Sequence, residues 1–471
     1  MTQYKTPGVY VVEKDAFGSS IVANETAIPV FFGYTEKMKY PSGEDLRHVE
    51  GSEKVHIPVR IRSTLEYEQS FGGPDTTGTI KIQEVTESGR QLYTSQIVDD
   101  EGNPYTPGLL HPSVANFFGN GGNNCYIVSL GTYEDFQKED PNFTFEALKN
   151  AIEMADDSTL LVPTDLIRFG PASYYGWCNQ LVNYCEESNR HFCILDVFMA
   201  DDQSSQLNHE DIDQYRKLVT PEVPKNAATY FPYLKSLTPY AYDKVTLGDQ
   251  QILPTDDETP PEIPWEKIQN IRSYLATHFI NMPPSPFMAG IYSRVDNSSG
   301  VWTPPANIAP NGVSGPLVDL TNLQQESLNV DAIAGKSINA IRRFTGKGTL
   351  VWGARTNDGN SMDWRYINVR RLFISMETDI SMALEAYVFK PNVHNTWIEV
   401  RTMIDSYLFG LYQQGAFAGT TPESSYQVHI GLGETMTEQD ILDGYMRATI
   451  MVAPVRPAEF IELTFTQMVS S

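Results

Sequence analysis

The middle of the chain alternates short apolar runs with segments of helical periodicity, and this pattern constrains the fold most strongly. The predicted strands lie at 28–34, 124–130, 159–163 and 191–198, and the predicted helices at 145–155 and 173–188. Alternation of this kind is typical of a mostly parallel sheet covered by helices. The run at 28–34 is apolar on both faces, which indicates a buried strand.

Beyond residue 340 the sequence predicts a second region of helices and short strands. Apolar residues from Val369 to Tyr387 follow helical spacing, and Pro391 ends that helix. Thr396 and Glu399 predict a capping box at the start of the next helix. The remaining predicted elements are strands at 426–430 and 447–453, a short acidic helix at 437–445 and an alternating strand at 459–468.

Both ends of the chain are predicted strands. Residues 7–13 are β-branched and follow Pro-Gly, and near the other end Ile461, Leu463 and Phe465 alternate with polar residues. A terminal strand either pairs within its own sheet or is donated to the open edge of a neighbour. From the residues alone, pairing within the same subunit is the commoner arrangement.

A short span rich in tryptophan and arginine, residues 352–371, indicates a binding surface. We call it the Trp-Arg block, and its members are Trp352, Arg355, Trp364, Arg365, Arg370 and Arg371. Arginine forks and tryptophan faces often provide interface energy. We expect the two tryptophans to pack in a core. Because arginine near a helix start opposes the helix dipole, we expect acidic partners, and our hypothesis places them on adjacent subunits.

Composition excludes several classes of function. The 471 residues carry a formal charge of −25, which argues against binding to nucleic acid or to an anionic membrane. No apolar run approaches membrane-spanning length, and the first residues lack the basic and apolar pattern of a signal peptide. We therefore expect synthesis in the cytoplasm without a signal peptide and no direct membrane insertion. Four cysteines do not make a disulfide framework.

Candidate cofactor and metal motifs are weak. The glycine-rich run at 118–124 precedes a strand, whereas a phosphate loop precedes a helix, and the Gly-Lys at 346–347 lacks the rest of such a loop. Cys178, Cys185 and Cys193 are spaced by seven and eight residues, unlike zinc-binding pairs, and His191 lies beside them. We expect buried thiols, with no metal and no cofactor.

One residue keeps an enzymatic alternative open. Asp196 ends a predicted parallel strand, the position where α/β enzymes place acids, and the loop near Pro163 is its predicted neighbour. No histidine, lysine or serine motif accompanies it, so a structural hydrogen bond is the favoured interpretation. We predict that the chain is not an enzyme.

Taken in order, several motifs resemble the contractile tail sheath proteins of phage tails and related contractile injection systems. These motifs are residues 6–13, 71–73, 114–128, 284–292, 300–307, 351–356, 364–373, 388–392 and 453–461. The resemblance implies a structural subunit that polymerises helically around an inner tube and contracts to drive the tube through a target envelope. A non-contractile structural or adaptor subunit of another helical assembly is the alternative.

The resemblance also implies particular contacts and partners. Terminal strands would be exchanged between neighbours through Val9, Tyr10, Val11, Val12, Ile461, Leu463 and Phe465. Contacts to the tube are expected from polar and charged faces, and the charged character of the acidic helix points to Glu438, Asp440 and Asp443. Expected partners are further copies of the chain, the inner tube protein, and baseplate and terminal cap proteins, within a phage tail or a tail-like injection particle.

The predicted fold class is a multidomain α/β and α+β protein. An inner α+β domain near the tube takes residues 1–24, as arm and strand, and 341–471. An outer α/β middle domain takes residues 25–34 and 111–340, and a β-rich surface insertion takes residues 35–110.

Overall fold

The computed structural model describes residues 21–39, 47–50, 53–87, 90–136, 141–248, 250–253, 263–460 and 462. Its strands are β1 (Pro29–Thr35), β2 (Arg47–Glu50), β3 (Glu53–His56), β4 (Val59–Ile61), β5 (Thr79–Glu87), β6 (Arg90–Val98), β7 (Cys125–Thr132), β8 (Leu160–Val162), β9 (Phe192–Asp196), β10 (Ala227–Phe231), β11 (Leu234–Pro239), β12 (Lys244–Leu247), β13 (Gln250–Leu253), β14 (Phe279–Met282), β15 (Val313–Pro316), β16 (Asn339–Phe344), β17 (Gly348–Val351), β18 (Tyr426–His429) and β19 (Thr449–Val452).

The helices of the same residues follow in chain order. They are α1 (Thr64–Phe71), α2 (Leu110–Gly119), α3 (Phe145–Met154), α4 (Pro171–Ser188), α5 (His209–Leu218), α6 (Trp265–Leu275), α7 (Ser285–Ser299), α8 (Asn322–Asn329), α9 (Ile367–Leu384), α10 (His394–Gln413), α11 (Pro422–Ser425) and α12 (Glu438–Leu442). The prediction of a mixed α/β chain is confirmed.

The largest sheet has eight strands in the order β17-β16-β10-β9-β8-β1-β7-β4. Its interior pairs, from β16 to β7, are parallel, and the pairings of the two outermost strands are antiparallel. Every residue of β1 is buried, as its two-sided apolar pattern predicts. The parallel sheet expected from the strand–helix alternation is therefore present.

Two compact units divide the chain. The smaller takes its described residues from 21–24 and 375–455, and the larger takes 25–374 and the described residues from 456 onward. Residues 341–374, which the sequence prediction assigned to the inner domain, cluster with the larger unit. The physical reason is that β16 and β17 extend the eight-stranded sheet.

Residues 35–110 do not form one surface insertion. Strand β4 is an edge of the eight-stranded sheet, and Tyr67 and Phe71 of α1 lie in its core. Strands β5 and β6 instead join β12 and β13 in a separate four-stranded sheet. That sheet shares an apolar cluster with α6, so its partners come from a distant part of the sequence.

In the smaller unit, α10 packs against β18, which pairs with β19 in a two-stranded antiparallel sheet. The predicted capping box at Thr396 is wrong, because α10 begins at His394 and the Thr396 hydroxyl donates to the Pro391 carbonyl instead. Across the described residues, no helix is long and apolar enough to span a bilayer.

Candidate assembly site

The Trp-Arg block forms a folded loop between β17 and the first turns of α9. Its two limbs are joined by backbone hydrogen bonds from Thr356 N to Arg365 O (2.8 Å) and from Ile367 N to Ala354 O (3.0 Å). The side-chain amide of Asn339 brackets Arg355, accepting from its N–H and donating to its carbonyl, both at 2.8 Å. A Cβ at Gly353 would lie 2.7 Å from the Asn339 Oδ1, so this close approach requires glycine.

Arg355 forms a two-pronged ion pair with Glu459, 104 residues later in the chain. Its Nε lies 2.9 Å from one carboxylate oxygen, and its second terminal nitrogen lies 2.6 Å from the other. Asn329 donates to the same carboxylate at 2.7 Å, and the Tyr366 hydroxyl does so at 3.3 Å. We call this group the Glu459 clamp.

The electrostatics of the Glu459 clamp favour the ionised carboxylate. Partial burial disfavours the charge, but hydrogen bonds from Arg355 and Asn329 outweigh that effect and lower the pKa of Glu459 below its ordinary value. Arg355 is itself 4% exposed, so losing the carboxylate would leave a buried guanidinium short of a partner. A change of that kind costs on the order of 2–3 kcal/mol.

A second buried ion pair joins Arg371 to Asp296 of α7. The two contacts are 2.9 Å and 2.6 Å, and Arg371 lies over the Tyr292 ring at 4.7 Å. Arg371 also donates to the Thr26 carbonyl at 2.8 Å, and the Thr26 hydroxyl donates to Asp296 at 2.5 Å. Burial works against the charge of Arg371, yet Asp296 outweighs it and raises the arginine pKa. This pair holds the first residues of the larger unit.

The other two arginines contact uncharged polar groups and an aromatic ring. Arg370 is buried, donates to the Asn226 side chain at 2.7 Å and lies 5.5 Å from the Trp364 ring centre. Arg365 is partly exposed and donates to the Ser361 carbonyl at 2.9 Å. The acidic partners that our hypothesis placed on adjacent subunits lie in the same chain for Arg355 and Arg371.

The two tryptophans differ from each other. Trp352 is 37% exposed and packs on Phe344 with ring centres 4.5 Å apart, so its expected place in a core is wrong. It follows β17, an outermost strand of the eight-stranded sheet. Trp364 is half-buried against Phe373, with ring centres 5.0 Å apart.

The N-terminal segment has a further anchor in the smaller unit. Asp379 of α9 accepts from the backbone N–H of Asn24 at 3.0 Å and from its side chain at 2.8 Å. The Tyr407 hydroxyl donates to the other Asp379 oxygen at 2.7 Å. Sequence reasoning missed Asp379, Asp296 and Glu459, because nothing local distinguishes them from other acids.

The acidic helix is shorter than predicted. Thr437 caps α12 by accepting from the Asp440 N–H, and the Asp440 carboxylate accepts in return from the Thr437 N–H and hydroxyl, and from Arg447 at 3.0 Å. The Thr437 backbone hydrogen bond is the main reason that the pKa of Asp440 falls to about 2. Glu438 and Asp443 are exposed, and Asp443 accepts from Gln439 at 2.9 Å. Asp440 therefore has a role within its own subunit.

The two-stranded sheet β18–β19 has a covered face and an open face. Tyr426 and Val428 are buried, whereas Gln427 and Met451 are exposed. Within the described ranges, neither strand has a partner on its other side. The predicted exchange residues Val9, Tyr10, Val11, Val12, Ile461, Leu463 and Phe465 lie outside the described residues.

The other candidate sites have structural roles. Asp196 is fully buried and accepts from the Ser285 N–H at 2.8 Å and its hydroxyl at 2.5 Å, at the start of α7. Burial raises the pKa of Asp196 to about 7, although both hydrogen bonds favour the charged form. All four cysteines are buried free thiols. No metal-binding group of His, Cys, Asp and Glu occurs in the described part of the chain.

Comparisons with known proteins agree with this architecture. The sequence profile of the phage tail sheath C-terminal domain matches residues 360–468. The contracted helical sheath of the anti-feeding prophage is 30% identical, with a TM-score of 0.65 over 98% of this chain and 99% of that one. The contracted sheath of an extracellular contractile injection system, PVC, is 29% identical, with a TM-score of 0.64 over 100% and 99%.

Among curated proteins, the tail sheath protein of Vibrio phage KVP40 is 27% identical over 179 residues. That alignment covers 38% of this chain and 25% of the phage protein, so the chain matches a quarter of this relative's length. The solved structures, in contrast, are matched over nearly their whole length.

An overlap this complete with solved sheath subunits defines the chain as a structural protein of a tail-like particle. It belongs to the contractile tail sheath protein family. This membership confirms the resemblance seen in the motifs. It also confirms that the chain is not an enzyme, since the matched relatives are structural sheath proteins.

Proposed function

We propose that the chain is a sheath subunit that polymerises helically around an inner tube and contracts to drive the tube through a target envelope. Neighbouring copies are linked by exchange of their N- and C-terminal strands. The subunit works within a phage tail or a tail-like injection particle. Its partners are further copies of itself, the tube protein, and baseplate and terminal cap proteins.

The observation that supports this proposal most strongly is that both edges of the sheet β18–β19 are unpaired within the described residues. An isolated two-stranded sheet is marginally stable in water, and its free edges offer unpaired backbone groups to a third strand. Here both strands are edges within the described residues. A strand arriving from another subunit would satisfy these groups and widen the sheet, as in other cases of strand addition.

The pattern of the C-terminal segment fits such a sheet. Val428 and Ile450 are a cross-strand pair on the covered face, and Gln427 and Met451 are a pair on the open face. Ile461, Leu463 and Phe465 alternate with polar residues in the same two-residue period. An added strand would place its apolar residues on the covered face and its polar residues in solvent.

The tube contact belongs to the smaller unit. The described part of this unit is acidic, and Glu438 and Asp443 of the α12 region are exposed. Asp440, already bonded to Thr437 and Arg447, orients the helix in this proposal. A tube surface with positive charge would complement this helix, and such contacts weaken with salt.

Two triple variants of the full chain test strand exchange. The first changes Ile461, Leu463 and Phe465 to threonine, and its matched control changes Glu462→Gln, Thr464→Ser and Thr466→Ser. We expect both proteins to remain folded by circular dichroism, but only the control to form tubes under the electron microscope. Tubes of wild-type length from the apolar-to-threonine variant would contradict the proposal.

Contraction has its own test. Sheaths assembled with their tube and then triggered are expected to appear in a long, narrow form and a short, wide form. A single form under all conditions would instead favour a non-contractile helical assembly.

A further inference from the structure

In the described part of the C-terminal segment, Glu459 makes the closest contacts with the larger unit. Among residues 456–460, Phe460 is 78% exposed, and Arg456 makes only a 3.9 Å ion pair with Asp363. Glu459, in contrast, receives hydrogen bonds from three side chains. Glu459 is therefore the residue that fixes this segment in place.

Arg355, the cation of the Glu459 clamp, is held through both its backbone and its side chain. The Arg355 backbone is bracketed by Asn339, and its remaining terminal nitrogen lies 3.3 Å from the Asn329 carbonyl and 3.4 Å from the Gly359 carbonyl. These contacts, together with those to Glu459, hold the guanidinium in one orientation. A planar fork of this kind also fixes direction, since both carboxylate oxygens are engaged.

The clamp lies at the start of the proposed exchanged strand. Glu459 precedes Ile461 by two residues, and two residues of extended chain span at most about 7 Å. Whatever holds Glu459 thus fixes the origin and direction of the strand. Arg371, another member of the Trp-Arg block, donates to the carbonyl of Thr26, which is the second residue of the larger unit.

We propose that Arg355 and Glu459 form the anchor of the exchanged C-terminal strand, which transmits mechanical load from the neighbouring subunit to the core of the larger unit. In this scheme Arg355 is a positioning residue, and Glu459 passes the force on the exchanged strand to Arg355. The load-bearing role rests on the strand exchange proposed above. The anchoring of the segment in a free subunit does not.

A spin label at the exposed position 460 reports on the clamp in the unassembled full chain. A nitroxide is attached to Phe460→Cys, and the four native thiols are buried. In this background, Glu459→Gln and Arg355→Lys are compared with Arg456→Gln, which removes the exposed ion pair of the same segment. Thermal unfolding of each protein shows whether the fold is intact.

We expect Glu459→Gln and Arg355→Lys to raise the mobile fraction of the label about tenfold or more. Glutamine removes the charge that pairs with the buried Arg355, and lysine cannot form the two-pronged contact to both carboxylate oxygens. Arg456→Gln should leave the spectrum unchanged. A spectrum of Glu459→Gln that matches the control would overturn the anchor, and so would a label that is already mobile in the parent protein.

Triggered contraction of assembled sheaths tests whether the Arg355–Glu459 pair bears mechanical load. Sheaths of Glu459→Gln without the label are expected to break several times more often than those of Arg456→Gln, in electron micrographs taken after contraction. Equal breakage with a mobile label would overturn the load-bearing role. Failure of strand exchange itself is recognised separately, since the threonine triple variant would then assemble normally.

Discussion

The eight-stranded sheet and the two-stranded sheet β18–β19 differ in how many of their strands have a partner on both sides among the described residues. The eight-stranded sheet of the larger unit has a buried parallel interior, and only its outermost strands, of four and three residues, are edges. In β18–β19 of the smaller unit, each strand is an edge as far as the described residues go. The first arrangement provides stability to a single subunit, whereas the second is suited to receiving a strand from another. Our proposal therefore assigns stability and assembly to different regions.

The largest effect is expected from the interior of the large sheet. Phe31 of β1 is fully buried, with its ring centre 5.5 Å from that of Phe117. Phe31→Ala should lower the free energy of unfolding by about 3–5 kcal/mol, through lost burial and a cavity. Urea denaturation measures this change, with the exposed Leu92→Ala as control. A loss below about 1 kcal/mol would show that the site collapses or is already loose.

The next effect concerns the N-terminal segment. Asp379→Ala removes the acceptor for two Asn24 donors and for the Tyr407 hydroxyl. We expect a loss of about 2–3 kcal/mol, since the buried Asp379 carboxylate makes three hydrogen bonds that the variant cannot form. The carboxylate also raises the pKa of Tyr407, after the larger effect of burial. Calorimetry gives the stability, and Tyr407→Phe is the control, expected to cost about 1 kcal/mol. Equal losses in both variants would contradict the role of Asn24.

The sequence predicted local structure well and distant pairing poorly. Strand β1 and helices α4 and α9 were placed within a few residues, because their periodicity is set by neighbours in the chain. The pairing of β12 with β5 joins segments more than 160 residues apart, and no local pattern specifies it. In the same way, the Trp-Arg block indicates a need for acidic partners but cannot select Glu459 or Asp296 among the acids of the chain.

A pH-dependent effect is expected at the end of β9. The pKa of Asp196 is raised to about 7 in the folded state, against 3.8 ordinarily, so the folded protein binds the extra proton between these values. Its contribution to stability is therefore full below about pH 4 and is lost as the pH rises through 7. Asp196→Asn should be more stable than the parent by about 1–3 kcal/mol at pH 8, with the difference shrinking towards pH 5.

The comparison must be made between variant and parent at each pH. Burial lowers the pKa of His191 to about 3, so this histidine destabilises the folded state as the pH falls below 6.5. The pH dependence that His191 gives to the free energy of unfolding is opposite to that of Asp196. It is the same in the variant and in the parent, so it cancels when the two are compared. A difference between Asp196→Asn and the parent that is constant from pH 5 to pH 8 would contradict the raised pKa.

The smallest effect compares the two faces of β18–β19. Val428 is 4% exposed and Met451 is 49% exposed. Val428→Ala should cost about 1–2 kcal/mol, and Met451→Ala should stay within about 0.5 kcal/mol. Thermal unfolding of the two variants distinguishes the faces. Equal costs would mean that the sheet has no covered side in the subunit.

Hydrogen exchange of the backbone amides shows whether β18–β19 gains a strand when subunits assemble, as we propose. In the free subunit, the amides on the outer edges of 426–429 and 449–452 should exchange rapidly. In assembled sheaths the account predicts slowing by about a hundredfold or more, because these N–H groups become hydrogen-bonded. Equal exchange rates at both edges in free and assembled protein would contradict the account.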